Sequence, residues 1–131
     1  MFVDASAIVA IIAREADCNE LSAKLLAAAV PFTSPIALFE ATLAIARLGE
    51  GDFRRAQTLV DAFSESQRIA TSALNAEIGR EAITAHMRFG KNRHPAKLNL
   101  GDCFAYACAK VHKVPLLCKG GDFLQTDIRI A

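Results

Sequence analysis

Apolar residues in this chain follow two rhythms: short unbroken runs, and longer stretches with helical spacing. "MFV", "PFT", "RIA" and "VPLLC" belong to the first kind and predict brief strands, with "VPLLC" suited to a strand covered on both faces. "SAIVAIIAR", "NELSAKLLAAA", "IALFEATLAIARLG", "DFRRAQTLVDAFSES", "NAEIGREAITAHMRFG" and "LGDCFAYACAKVHK" belong to the second and predict helices. In the fourth of these, Phe53, Ala56, Leu59, Val60 and Phe63 recur at helical intervals. Ser34 followed by Pro35 is a helix start, and Gly49 and Gly90 are helix stops. "KNRHPAKLN" reads as a polar loop, "KGGDFLQTD" as a turn-rich segment, and "IRI" as a last short strand.

Strands alternating with helices imply an α/β fold with a small parallel sheet flanked by helices, three layers deep. No internal repeat or linker breaks the chain, so residues 1–131 read as one domain. The hydrophobic share of 53% is rich in alanine, which suits closely packed helices or a covered partner surface. A net charge of +1 gives no overall pull toward nucleic acid or anionic membrane, so any such attraction must be local. Cys18, Cys103, Cys108 and Cys118 form no CxxC pair and read as reduced residues, most of them in apolar runs. The apolar start lacks a basic flank and is interrupted by Asp4, and no run reaches the ~18 residues of a membrane span. A cytoplasmic protein is expected.

In open parallel sheets, chemistry gathers beyond the carboxyl ends of the strands. Asp4 follows the first strand directly, and Asp122 follows "VPLLC" after a short loop. Glu40 lies on the apolar stripe of its helix with Ile36 and Leu43, and its neighbours four residues away are Ile36 and Ala44, neither basic. Asp102 stands in the first turn of a helix that is apolar nearly all round. Each acid has an ordinary explanation: Asp4 as a helix cap, Asp102 as a favoured first-turn acid, Glu40 as partner of a distant arginine, Asp122 as a turn residue. Together, though, the topology sends all four to one edge of one sheet. Carboxylates so placed repel, and bound cations or shifted protonation must relieve them. An all-oxygen set suits Mg²⁺ or Mn²⁺, which can promote attack on a phosphodiester. His86, His94 and His112 have no metal-ligand spacing, and neither a Ser/His/Asp set nor HExxH is present.

Just before Asp102, "RFGKNRHPAK" places Arg88, Lys91, Arg93, His94 and Lys97 together. Such a cluster is either a solvated loop or a phosphate-contacting one.

"VDASAIVAI", "SPIALFEATLA", "FGKNRHPAKLNLGDCFAYACAK" and "LLCKGGDFLQTDI", in that order, resemble the PIN-domain family, specifically VapC-type toxins of bacterial toxin–antitoxin pairs. The resemblance implies a small α/β fold and a Mg²⁺- or Mn²⁺-dependent endoribonuclease that leaves a 5′-phosphate and a 3′-hydroxyl. It puts the family's acids on Asp4, Glu40, Asp102 and Asp122, a supporting hydroxyl on Ser6 and a secondary acid on Asp127. It also implies a homodimer held inactive by a VapB-type antitoxin whose C-terminal segment covers the site. The family commonly has Asn or Asp before the fourth acid, where this chain has Gly121.

Three other readings compete. A haloacid-dehalogenase-like phosphatase would use Asp4 as nucleophile and the GDxxxxD spacing of "GGDFLQTD" for metal, but Ser6 stands where it needs a second acid. A phosphoacceptor receiver module needs an acceptor aspartate at the end of a middle strand, which "RIATSALN" lacks. A catalytically inert PIN-like binding module is the fourth reading.

Overall fold

In the computed structural model, which describes residues 1–131, four strands of two residues each carry the fold. They are β1 (Phe2–Val3), β2 (Phe32–Thr33), β3 (Ala70–Thr71) and β4 (Leu116–Leu117). All pair in parallel, in the order β3-β2-β1-β4, with Phe2 opposite both Phe32 and Leu116. Six helices flank the sheet: α1 (Ala5–Ile12), α2 (Cys18–Leu26), α3 (Pro35–Leu48), α4 (Phe53–Ser66), α5 (Ala76–Phe89) and α6 (Leu100–Val111). The chain walks outward from β1 through β2 to β3, then jumps back across to β4. The direction of travel therefore reverses at β1, and a crevice opens there past the strand ends.

Strands so short need help to hold together. The Thr33 hydroxyl donates to the Val3 carbonyl at 2.7 Å, adding a side-chain link between β1 and β2. Phe2, Val3, Leu116 and Leu117 are fully buried, as expected of strands covered on both faces. Helix starts follow strand ends closely, and side chains of Asp4, Ser34, Asp52, Asn75 and Asn99 cap five of the six helices.

The alanines are explained by packing. Ala105, Ala107 and Ala109 of α6 are buried, as are Ala82 and Ala85 of α5, which packs chiefly on α6. Small side chains let these backbones approach closely around one large buried residue, Tyr106. All four cysteines are unpaired. No helix is long and apolar enough to cross a membrane.

Two elements differ from the sequence expectation. The strand expected at "RIA" begins two residues late, at Ala70. Ile69 is buried as an anchor, and Arg68 takes a left-handed φ of 53° that ends the preceding helical segment. The strand expected at "IRI" is a single parallel bridge, Leu116 to Ile130, held by Leu116 N–H to Arg129 O and Ala131 N–H to Leu116 O, both at 2.9 Å. A short 3₁₀ turn and the bends after it occupy residues 122–128, leaving too few residues for a ladder.

The tail is instead fastened by a side-chain latch. The Tyr106 hydroxyl donates to Asp127 Oδ1 at 2.5 Å, while Lys110 and Arg88 reach Asp127 Oδ2 at 3.0 and 3.3 Å. These donors hold the Asp127 carboxyl down at about 2, against an ordinary 3.8, with Tyr106 the largest cause. An acid depressed in the folded state contributes stability that is complete above its unfolded value and fades as pH falls through the folded one. Tyr106→Phe should therefore cost about 1 kcal/mol in urea unfolding at pH 7, less than a buried charged hydrogen bond because solvent screens the 43%-exposed Asp127 carboxylate. The gap from wild type should narrow as pH is lowered from about 4 toward 2.

Candidate metal-binding active site

Asp4 leaves β1 at the crevice, and its backbone N–H donates to Leu117 O of β4 at 2.9 Å. The residue is only 4% exposed. Oδ2 accepts from both the Ser6 N–H at 3.0 Å and the Ser6 hydroxyl at 2.5 Å, so the acid caps α1. The same hydroxyl accepts from the Lys119 backbone N–H at 3.0 Å. Ser6 thereby ties the first acid to the loop after β4. Burial pushes the Asp4 carboxyl up, the Ser6 hydrogen bonds oppose this, and the charge of Asp122 adds to the rise.

Asp102 is set by a capping box at the start of α6. Its N–H donates to Asn99 Oδ1 at 3.0 Å, and its Oδ2 accepts from the Asn99 N–H at 2.8 Å. Burial raises its pKa as well, with Asp4 and Asp122 contributing. Glu40 comes from α3 and lies against the backbone of Gly101, where a methyl group would collide with both of its carboxylate oxygens. Burial first, then the charges of Asp4 and Asp102, push Glu40 up to about 7.

Asp4, Ser6, Glu40 and Asp102 thus line one pocket of about 310 Å³, with Val9 and Ala44 along its floor and Glu15 and Lys119 at its rim. Asp122 opens a 3₁₀ turn, Asp122–Gln125, and is exposed; it does not line the pocket, though its charge is felt at Asp4 and Asp102. Gly121 has an ordinary φ of −106°, and the left-handed residue of this turn is Gly120 at 92°. The N-terminal ends of α1 and α6 both meet the acids and partly offset their charge. Asp127 stands apart in the tail latch, so the GDxxxxD pair is split between the two places.

As arranged, no three His, Cys, Asp or Glu side chains close tightly enough to hold an ion by themselves. The donor set nonetheless fits a hard divalent cation. It is all oxygen, its carboxyls are raised by mutual repulsion as well as burial, and Mg²⁺ needs only one or two protein carboxylates beside water and substrate phosphate.

The basic residues divide. Arg88 belongs to the last turn of α5, where it pairs with Asp127 and lies over the Phe89 ring at 4.6 Å, so it is not part of the loop. Lys91, Arg93, His94 and Lys97, with Asn92 and Pro95, line a separate pocket of about 430 Å³. His94 Nδ1 accepts from the Ala96 N–H at 3.1 Å, which holds the loop in a tight turn before Asn99.

Three contributors to the site were not expected from the sequence. The Asn99–Asp102 spacing of a capping box is a signal that could have found the first. Gly101 and Lys119 leave no such signal, because their significance depends on which distant residue they meet.

Known proteins agree with this fold. A PIN domain model matches residues 1–129, and the chain belongs to the PIN-domain family, in its VapC branch. It is 41% identical to a VapC ribonuclease of Rhizobium meliloti, over 97% of this chain and 98% of that one. It is 37% identical to ribonuclease VapC30 of Mycobacterium tuberculosis, over 98% and 95% respectively. In fold it is similar to the crystal structure of Mycobacterium tuberculosis VapC20, a toxin that cleaves the sarcin–ricin loop. That match has a TM-score of 0.77 and 18% identity, and covers 99% of this chain and 97% of that one.

The raised Glu40 carboxyl gives a signed test. A carboxyl whose folded pKa lies above its unfolded value stabilises the fold below about 4.5 and loses that contribution as pH rises through about 7. Glu40→Gln should therefore raise the thermal midpoint of metal-free protein at pH 8, with the gain vanishing below pH 4.5. Added Mn²⁺ should raise the midpoint of wild type more than that of the variant.

Proposed function

We propose that this protein is a Mg²⁺- or Mn²⁺-dependent endoribonuclease, a VapC-type toxin that hydrolyses RNA phosphodiester bonds. The supporting observation is one pocket in which three carboxylates from three separate helix starts and faces converge, with Lys91, Arg93 and Lys97 in the loop that leads into α6. Asp4 and Asp102 would hold the ion, with Glu40 and, from outside the pocket, Asp122 adding negative charge. When bound, the ion polarises a phosphoryl oxygen and makes water a stronger nucleophile. Glu40, which lines the same pocket, would orient the attacking water and accept its proton. Lys91, Arg93 and Lys97 hold the RNA backbone by its phosphates, fixing position rather than sequence. In-line attack would form a bond from water to phosphorus as the bond to the 3′-oxygen breaks, leaving a 5′-phosphate and, once that oxygen takes a proton from solvent, a 3′-hydroxyl.

A VapB-type antitoxin fits the same reading. Between α1, α3 and α4 lies a groove of about 260 Å³ lined by Ile12, Ile45, Leu48 and Leu59, with Leu48 and Leu59 exposed. An apolar antitoxin segment would cover it on the way to the pocket. A second copy of the chain is the other expected partner.

Asp4→Asn is the sharpest variant, since asparagine also caps helices and leaves α1 intact while removing the charge. Purified wild type should cut bacterial RNA with Mg²⁺ or Mn²⁺ and stop with chelator. Asp4→Asn should lose at least about a hundredfold in rate, and equal cutting by both proteins would overturn the assignment. Alanines at Lys91, Arg93 and Lys97 should weaken RNA binding and flatten its salt dependence, by about 0.7 in log–log slope for each phosphate left without its cation. Arg88→Ala should instead act mainly on stability, through the Asp127 latch.

A further inference from the structure

Lys119 is the one basic side chain lining the acid pocket, and the proposed reaction leaves it unused. Its main chain is fixed, because the N–H donates to the Ser6 hydroxyl that also holds Asp4. Its ammonium is parked outward, paired with Glu15 and lying 3.6 Å from Asp17 Oδ1. Glu15 lines the same pocket, so the parked position is already at the rim. The Asp17 oxygen facing it is buried and takes no hydrogen bond, leaving the ion pair as its sole compensation.

An RNA phosphate entering this pocket meets carboxylates of its own sign. Beside a bound divalent ion, a rim cation lowers that repulsion further, and a lysine on a flexible four-carbon stem can supply it. Leaving its acidic partners gives up a partly exposed pair with Glu15 and the sole compensation of Asp17 Oδ1, a cost that the charge of the RNA phosphate must offset. The next residue, Gly120, is left-handed, with open space where a side chain would stand, so nothing crowds the turn.

We propose that Lys119 is a substrate-contacting residue: its ammonium leaves Glu15 and Asp17 to bind a non-bridging oxygen of the RNA phosphate at the Asp4–Glu40–Asp102 pocket. The inference rests on the nuclease reading and adds to it. Glu15 and Asp17 compete with the substrate for the lysine, which sets removal of the lysine apart from removal of its partners.

The test compares Lys119→Met, Lys119→Arg and the double variant Glu15→Gln/Asp17→Asn. Cleavage of bacterial RNA with Mn²⁺ gives one readout. Binding of a mixed-sequence single-stranded RNA oligonucleotide, measured across salt in an inert Asp4→Asn background, gives the other. Lys119→Met should lower kcat/KM by about tenfold or more and reduce the salt slope by about 0.7. Lys119→Arg should restore most of both, and the double variant should cut as well as wild type or better. A merely structural tie predicts the opposite pairing, with the double variant as impaired as Lys119→Met, and that result overturns the proposal. So does a Lys119→Met protein that cuts and binds like wild type. Wild type that neither cuts nor binds RNA would instead overturn the nuclease reading beneath it.

Discussion

A carboxylate buried at the turning point of a parallel sheet is the constraint around which this molecule is arranged. Asp4 sits where β1 ends, 4% exposed, and no basic side chain neutralises it. Its compensation is a set of dipoles: the start of α1, the Ser6 N–H and the Ser6 hydroxyl. Dipoles stabilise a negative charge without cancelling it. The remaining charge acts on Glu40 and Asp102, and the pocket keeps a field that favours a cation.

The surrounding cations are placed so as not to quench that field. Arg88 and Lys110 are occupied by Asp127, on the tail side of α6. Lys91, Arg93 and Lys97 stand around a pocket of their own. Lys119, at the rim of the acid pocket, is held by Glu15 and Asp17. A fold with net charge of only +1 thus keeps separated regions of opposite sign, which the overall charge conceals.

What could be read from the sequence follows from the range of the interactions involved. Helix periodicity, caps such as Ser34 and the buried run before Cys118 are local, and they located the elements to within a few residues. The convergence of Asp4, Glu40 and Asp102 was also legible, because a parallel sheet fixes which ends of its strands lie together. Asp127 and Arg88 were another matter. The family resemblance put one among the site's secondary acids and position along the chain put the other in a basic loop, whereas Tyr106, a buried residue with a hydroxyl to satisfy, anchors the latch that holds both. The single bridge at Ile130 in place of a strand reflects competition from turns, which short apolar triplets do not reveal.

The contact between Glu40 and Gly101 carries a consequence for how such a chain can diversify. The α6 backbone leaves room for the glutamate only because position 101 has no side chain. A side chain at 101 would displace the Glu40 carboxylate, the far end of a flexible side chain, from its place against α6. Distant in sequence, the two are coupled through the pocket, because where the acid sits depends on position 101 having no side chain.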